Sequence, residues 1–393
     1  MIILYPPSFK SLGKKVMLFS KYSLDGETYT LWYKFPEKYR DYLVVERLDA
    51  FLVGLLFLGL KTGKDIYVKG SVSHRLYYAI NHYLIEILCA ANPSYKKIKV
   101  IAEELNKRDL NVVNSAGTGL SCGVDSFATY YDHIEEEGNF KIKYFTFFDV
   151  GSHGVFKGER AGEIFNERLN NSSGFAKKVG KELITVESNL SEVLDLPFQA
   201  TNTLRNISCV LNLQKLFKNY YFASSYPYKY FKLDPSDTTY YDIWNLHLLS
   251  TESTTFFSSV PGLTRIEKTA LISNFQNTYK FLDVCLSPDK DCDFKNCTRC
   301  EKCLRTALTL DLLDKLENYN EVFDLNAYGN QKDRYIAKVL YTRKANIFSE
   351  ELYALLKEKN ILTKTHYYAK IKYGLELKWL RFKKIIKVVI KKV

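Results

Sequence analysis

The residue types best suited to chemistry stand at positions 119–126, which read Gly-Leu-Ser-Cys-Gly-Val-Asp-Ser. An apolar, strand-like stretch at 112–120 leads into this segment, and a helical pattern at 125–137 follows it. A turn of small residues that enters a helix presents unbonded backbone N–H groups, and the helix dipole adds partial positive charge there. The segment therefore predicts an anion site, for which phosphate is the usual ligand.

Each side chain in this turn suits such a site. Ser121 and Ser126 can donate hydroxyl hydrogen bonds to phosphate oxygens, and Gly123 lets the backbone approach closely. Asp125 would repel a bare phosphate, so its presence indicates Mg²⁺ held between the carboxylate and the anion. The other interpretation is a Ser/Gly-rich turn that only caps a helix. The candidate ligand-binding residues are Ser121, Cys122, Gly123, Val124, Asp125 and Ser126.

A cysteine cluster is the second pattern that points to chemistry. Cys297, Cys300 and Cys303 stand at two successive C-x-x-C spacings, which can bring three thiols to one tetrahedral Zn²⁺. Either Cys285 or Cys292 can supply the fourth ligand. Disulfides are the other interpretation, but nothing in the sequence indicates secretion.

The turn resembles a known family signature. Ser121-x-Gly123-x-Asp125-Ser126 is similar to the PP-loop of the ATP pyrophosphatase (adenine nucleotide alpha hydrolase) superfamily, whose usual form is Ser-Gly-Gly-x-Asp-Ser/Thr. Cys122 replaces the first of the two usual glycines, so a positive φ there would cost about 1–3 kcal/mol. Together with the cysteine cluster, residues 111–313 resemble the branch of 7-cyano-7-deazaguanine synthase.

The resemblance implies further site residues. It favours Cys285 as the fourth zinc ligand, and it places adenosine at the turn around Gly151. It assigns Arg205, which heads a helix with Asn206, and Lys268 to the nucleotide phosphates; a surface arginine is the other interpretation of Arg205. The implied catalytic residues are Asp125, Arg205 and Lys268, and the implied cofactors are ATP, Mg²⁺ and Zn²⁺.

The superfamily chemistry is substrate adenylation with release of pyrophosphate. The resemblance therefore implies an AMP-forming ligase or amidating enzyme that activates a carboxylate or amide of a small molecule or a protein terminus and couples a nitrogen nucleophile. A second interpretation is sulfur transfer to a nucleic-acid base, with Cys122 as the one thiol in the turn. A third is an ATP-binding scaffold without turnover that recruits a partner.

The elements that must position these residues suggest four segments. From residue 111 strands alternate with helices, which predicts an α/β fold with an open parallel sheet and helices on both faces, a Rossmann-like domain of the HUP type. We expect an α+β accessory domain at 1–110, the PP-loop domain at 111–284, the cysteine cluster and a following helix at 285–330, and a helical basic region at 331–393.

The N-terminal segment offers elements but no chemical signature. Strand patterns at 15–22 and 28–35 flank Asp25-Gly26, which predicts a hairpin. The apolar run at 50–60 is too short to span a bilayer and predicts a buried helix. Because the N-terminus lacks a signal-peptide pattern, we expect a cytoplasmic protein.

Positive charge is concentrated at the C-terminal end. The formal net charge is +12, and residues 364–393 contain ten Lys or Arg and one Glu. Because the remainder is nearly balanced, general nucleic-acid binding is not indicated. An apolar helical stripe runs through this region, formed by Leu375, Trp379, Phe382, Ile386, Val389 and Val393. It predicts docking on the helix's own domain, association with a partner or a second copy, or contact with an anionic membrane surface.

Overall fold

The computed structural model describes residues 1–152, 159–286 and 293–390. The described strands are β1 (Ile2–Leu4), β2 (Ser8–Leu12), β3 (Lys15–Leu24), β4 (Glu27–Pro36), β5 (Ile66–Ser73), β6 (Val100–Asn106), β7 (Ser115–Gly119), β8 (Ile142–Asp149), β9 (Glu182–Ser188), β10 (Phe217–Ala223) and β11 (Thr255–Ser259). The described α-helices are α1 (Asp49–Thr62), α2 (His74–Ala79), α3 (Ile85–Ala91), α4 (Val124–Asp132), α5 (Glu159–Lys178), α6 (Leu190–Leu194), α7 (Asn202–Leu211), α8 (Asp242–Leu249), α9 (Arg265–Ile272), α10 (Glu301–Leu312), α11 (Leu325–Thr342), α12 (Ile347–Glu358) and α13 (Lys364–Ile390).

The chain divides into two compact units. The first contains residues 1–121 and 125–262, and the second contains residues 122–124 and 263–393. All the strands named above lie in the first unit and form one mixed sheet in the order β11-β10-β7-β8-β9-β4-β3-β1-β5-β6, with β2 paired to β3. The fold is therefore α/β with a large sheet flanked by helices.

Five neighbouring strands of this sheet are parallel. They lie in the order β11-β10-β7-β8-β9, so that β7, the first of them in the chain, occupies the middle. The chain moves outward from β7 through β8 to β9 and then returns to β10 on the other side. This order is compatible with a Rossmann-like core, in which ligands bind outside the carboxyl ends of the strands where the order reverses.

The predicted boundary at residue 110 falls inside this sheet. β4 pairs antiparallel with β9, with Tyr33 opposite Ser188 and Lys34 opposite Glu187. The N-terminal strands therefore extend the parallel strands instead of forming a sheet of their own. No pattern within either segment specifies this pairing, because it joins residues more than 150 positions apart.

A buried polar network also ties the N-terminal segment to the rest of the first unit. The Arg47 guanidinium lies 3.1 Å from both Asp49 and Glu252. It also donates to Gln214 Oε1 at 2.6 Å and to Ser253 Oγ at 2.8 Å. A charge this deeply buried is tolerated when carboxylates and hydrogen-bond acceptors surround it in this way.

The predicted hairpin and buried helix are both present. Asp25 and Gly26 have φ of 57° and 85° and connect β3 to β4, as a two-residue turn that follows the strand twist requires. Residues 49–60 of α1 are buried on all sides. Among the described residues, no helix combines the length and the apolar character needed to cross a bilayer.

The second unit is mainly helical. It contains α9 to α13. Three of the clustered cysteines, Cys297, Cys300 and Cys303, lie immediately before or within the first turn of α10, and Cys285 lies in an earlier segment. Residues 279–284 do not form a strand: 279–281 lie in a turn, and 282–285 are irregular. Their backbone is bonded instead by the Asn296 side chain, which accepts from Val284 N at 2.8 Å and donates to Leu282 O at 2.9 Å.

Candidate functional site

The turn at 120–126 joins β7 to α4 at the reversal point of the parallel strands. Leu120 is anchored in the first unit, because its N–H donates to Thr146 O and its carbonyl accepts from Ser172 Oγ. The two serine hydroxyls predicted to bind phosphate approach each other, with Ser121 Oγ 3.3 Å from Ser126 Oγ. The structure therefore brings both hydroxyls to the N-terminus of α4, where the helix dipole favours an anion.

Cys122 adopts the backbone conformation that a glycine would favour. Its φ is +57° and its side chain is fully buried. For a residue with a Cβ this left-handed conformation costs about 1–3 kcal/mol and persists only where the surroundings enforce it. Gly123 is half-buried and Val124 is buried, and α4 begins at Val124.

Asp125 lies in the first turn of α4 and is half-buried. A carboxylate in this position is stabilised by the helix dipole whether or not it also holds a cation. Its oxygens have the chemistry that Mg²⁺ prefers, so the donor set of the turn fits the ion. The role of Asp125 in holding Mg²⁺ stays a prediction.

Arg205 is buried, and its guanidinium is bonded to the protein. Nε donates to Thr201 Oγ1 at 2.7 Å, and Nη2 donates to Leu196 O at 2.8 Å. Nη1 donates to Val150 O and to Ser191 Oγ, both at 2.9 Å. Burial lowers the pKa of Arg205 to about 10, which leaves it charged at neutral pH. Its predicted contact with phosphate stays a prediction; the bonds described here fix the segments around it.

Gly151 lies against the same arginine. Its φ is +93°, and a Cβ at this position would lie 2.5 Å from Ser191 Oγ and 3.0 Å from Arg205 Nη1. Glycine is therefore required both by the backbone conformation and by the close approach of two side chains. The turn after β8, expected to hold adenosine, is in this way shaped by Arg205.

An acidic group lies at the end of the same strand. Burial, followed by the charges of Glu187 and Glu192, raises the pKa of Asp149 to about 6. Asp149 ends β8, and Glu187 stands opposite it on β9. The carboxyl ends of β8 and β9 therefore carry acidic side chains next to each other, with Asp149 disfavoured in its charged form.

Lys268 belongs to the second unit. Thr264 and Glu267 form a capping box at the start of α9, because Thr264 Oγ1 accepts from Glu267 N while the Glu267 carboxylate accepts from Thr264 N. Lys268 therefore lies in the first turn of α9, where it is 1% exposed. Its proposed contact with nucleotide phosphates stays a prediction.

The four cysteines favoured as zinc ligands come together. The sulfur atoms of Cys285, Cys297, Cys300 and Cys303 all lie within 4.8 Å of one another. A tetrahedral zinc with bonds of about 2.3 Å separates its sulfurs by about 3.8 Å, so the cluster fits such an ion after small adjustments. Hydrogen bonding among these thiols lowers the pKa of Cys300 and raises the pKa of Cys285 and Cys303, because the three sulfur atoms interact directly.

The fourth ligand and the disulfide interpretation bear on the same cysteines. The alternative ligand Cys292 lies outside the described residues. The described cysteines are free thiols, so no disulfide joins them. The structure therefore describes a four-thiol cluster that could hold a metal ion such as zinc.

Two residues near the cluster were missed by sequence reasoning. Asn296 is buried and holds the segment that leads to Cys285. The N–H of Asp283 donates to the carbonyl of Cys122 at 2.9 Å, and its carboxylate accepts from the N–H of Cys285 at 3.3 Å. One bridging residue therefore connects the tip of the turn to a cysteine of the cluster. Only the position of Asn296, directly before Cys297, offered a signal in the sequence.

Comparisons with protein-family models, with curated proteins and with solved structures found no match for this chain.

Proposed function

We propose that the chain is an ATP-dependent, AMP-forming ligase of the PP-loop type. The observation that carries the proposal is the turn at 121–126. It follows the central parallel strand at the reversal point, presents two serine hydroxyls 3.3 Å apart, and leads into a helix N-terminus. Each of these features favours a polyphosphate.

In the proposed reaction, a carboxylate or amide oxygen of the substrate attacks the α-phosphorus of ATP. The bond to the bridging oxygen breaks, and pyrophosphate leaves with the electron pair. A nitrogen nucleophile then displaces AMP and loses a proton to solvent. Ser121, Gly123 and Ser126 bind the departing pyrophosphate, and Mg²⁺ beside Asp125 would neutralise its charge. Positioning of the reactants and neutralisation of the pyrophosphate charge would accelerate the reaction.

The roles of the two buried cations differ in this proposal. Arg205 acts as a positioning residue, because its donors hold Val150, Ser191, Leu196 and Thr201 around the turn after β8. Lys268 remains the candidate for direct contact with phosphate.

The cysteine cluster serves a structural role in the proposal. Four thiolates complete the coordination of zinc and leave no position for a substrate, which is typical of structural sites. Through Asp283, the segment that carries Cys285 also holds the carbonyl of Cys122. The bound metal would therefore stabilise the strained tip of the turn.

The competing functions lack a comparable observation. A sulfur relay requires an accessible thiol, and Cys122 is fully buried. The basic α13 suits recruitment to a partner or a surface as well as it suits an enzyme, so it does not favour the non-catalytic scaffold.

Incubation of the purified chain with ATP, Mg²⁺ and a mixture of metabolites tests the proposal. We expect AMP and pyrophosphate in equal amounts, together with a new product detected by mass spectrometry. Ser126→Ala should lower AMP formation, whereas Ser236→Ala, a matched change at an exposed position, should not. Formation of ADP, or ATP binding without turnover across acid and amide substrates, would contradict the proposed reaction.

A further inference from the structure

One face of α13 packs on α11. The rings of Tyr373 and Tyr341 lie 5.7 Å apart, and Arg334 Nη2 donates to Glu376 Oε2 at 3.0 Å. Gly374 is buried so closely against Tyr341 that a Cβ would lie 2.8 Å from the ring. These contacts fix which side of α13 faces α11.

The apolar stripe of α13 lies on a different side. Its members recur every three or four residues, so they share one helix face. The described members are largely exposed, with Leu375 at 62%, Trp379 at 55% and Phe382 at 61%. The same helix face continues toward the N-terminus through two further exposed residues, Ile371 at 61% and Tyr368 at 72%. The part of the predicted stripe whose side chains are described, from Leu375 to Phe382, therefore does not dock on the domain to which it belongs. An exposed apolar face of this length indicates an interaction surface.

The charges around the stripe restrict what can cover it. Lys370, Lys372, Lys378 and Lys383 lie beside or within it, and residues 364–393 carry ten Lys or Arg against one Glu. Lys383 Nζ lies over the Trp379 ring, 3.5 Å from its centroid, so a positive charge directly adjoins the apolar face. A second copy of the same helix would bring these lysines together, which like-charge repulsion disfavours.

We propose that α13 binds the surface of an anionic lipid bilayer. An interfacial helix buries Trp, Phe and Leu side chains at the boundary between headgroups and acyl chains, while its lysines extend toward anionic headgroups. The stripe and its flanking lysines match both requirements. The helix lies along the membrane surface; it does not cross it. The proposal is independent of the ligase function, because it uses no residue of the turn at 121–126.

Cosedimentation of the full chain with vesicles tests the proposal. We expect binding to vesicles that contain phosphatidylglycerol, and at least about tenfold weaker binding to vesicles of phosphatidylcholine alone. Raising the salt concentration to about 1 M, where the Debye length is about 3 Å, should weaken the binding. Brominated lipids should quench the fluorescence of wild-type protein more than that of Trp379→Phe.

Two variants locate the contact. Leu375→Asp places a carboxylate in the centre of the stripe and should lower vesicle binding about tenfold or more. Val112→Asp makes the same kind of change at an exposed residue of the first unit and should leave binding unchanged. Both variants should retain the wild-type melting temperature, because both side chains are exposed.

Three results would overturn the proposal: equal binding to neutral and anionic vesicles, no vesicle binding, or full binding by Leu375→Asp. A dimer that Leu375→Asp dissociates, without vesicle binding, would assign the stripe to self-association instead.

Discussion

Replacement of Arg205 distinguishes a positioning role from direct contact with phosphate. Arg205→Leu removes four hydrogen bonds to buried or half-buried acceptors, which are Thr201 Oγ1, Val150 O, Ser191 Oγ and Leu196 O. A buried acceptor left without its donor costs about 1–3 kcal/mol. Because neighbouring losses are not additive, we expect the variant to lose about 4 kcal/mol of the free energy of unfolding.

Arg205→Lys separates the effect of the positive charge from the effect of the planar guanidinium group. A lysine retains the positive charge and can bind phosphate as a point charge, but it cannot bond four groups in a planar fork. If Arg205 positions the surrounding segments, this variant should remain about 2 kcal/mol less stable than the wild type and should bind ATP weakly. A ligand role predicts the opposite: stability near that of the wild type and partial recovery of ATP binding.

Urea unfolding and calorimetric titration with ATP and Mg²⁺ measure the two effects. Arg40→Leu is the matched control, because Arg40 lies in the same unit and its ion pair with Glu37 is exposed. Its free energy of unfolding should change by less than about 1 kcal/mol. The reasoning is refuted if Arg205→Leu retains the wild-type urea midpoint and yet abolishes ATP binding.

Three further predictions concern the metal cluster, the turn and an acidic strand end. Cys300→Ser should remove one equivalent of bound zinc and lower the melting temperature. Cys89→Ser, which changes a cysteine outside the cluster, should do neither. Wild-type protein that contains no metal after purification without chelator would contradict the assignment. Cys122→Ala retains the strained φ and loses the buried sulfur, so it should lower the free energy of unfolding by about 1 kcal/mol. Cys122→Gly relieves the strain and should unfold at a higher urea concentration than the alanine variant. The folded-state pKa of Asp149, about 6, lies above its usual value of 3.8, so ionisation of this group lowers the stability of the protein as pH rises from about 4 to about 6. Asp149→Asn should therefore raise the melting temperature at pH 7.5 and leave it nearly unchanged at pH 3.5.

Features set by neighbouring residues were predictable from the sequence. The Asp25-Gly26 turn, the capping box of Thr264 and Glu267, and the strand–turn–helix arrangement around 121–126 each depend on residues a few positions apart. The convergence of Cys297, Cys300 and Cys303 also follows from local spacing. Local patterns have this power because backbone conformation and short loops determine the geometry directly.

Features that depend on distant residues were not predictable. The first unit continues across the predicted domain boundary at residue 110, because β4 pairs with β9. Arg47 also forms hydrogen bonds with Glu252, Gln214 and Ser253. Nor does any sequence pattern indicate that Arg205, at the head of a helix, is only 2% exposed. Such contacts arise from packing in three dimensions, and a single sequence contains no periodicity that encodes them.

The strained backbone of Cys122 and the four-thiol cluster are connected through one short segment, residues 282–285. A left-handed Cys122 is maintained only if its surroundings hold it, and the N–H of Asp283 does so by donating to the Cys122 carbonyl at 2.9 Å. Asp283 belongs to an irregular segment that no strand ladder supports. That segment is held by Asn296 on one side and by the cluster through Cys285 on the other. A metal ion held by the cluster would therefore also restrain Cys122, so we expect removal of that metal to weaken the proposed anion binding at 121–126 before the protein unfolds globally.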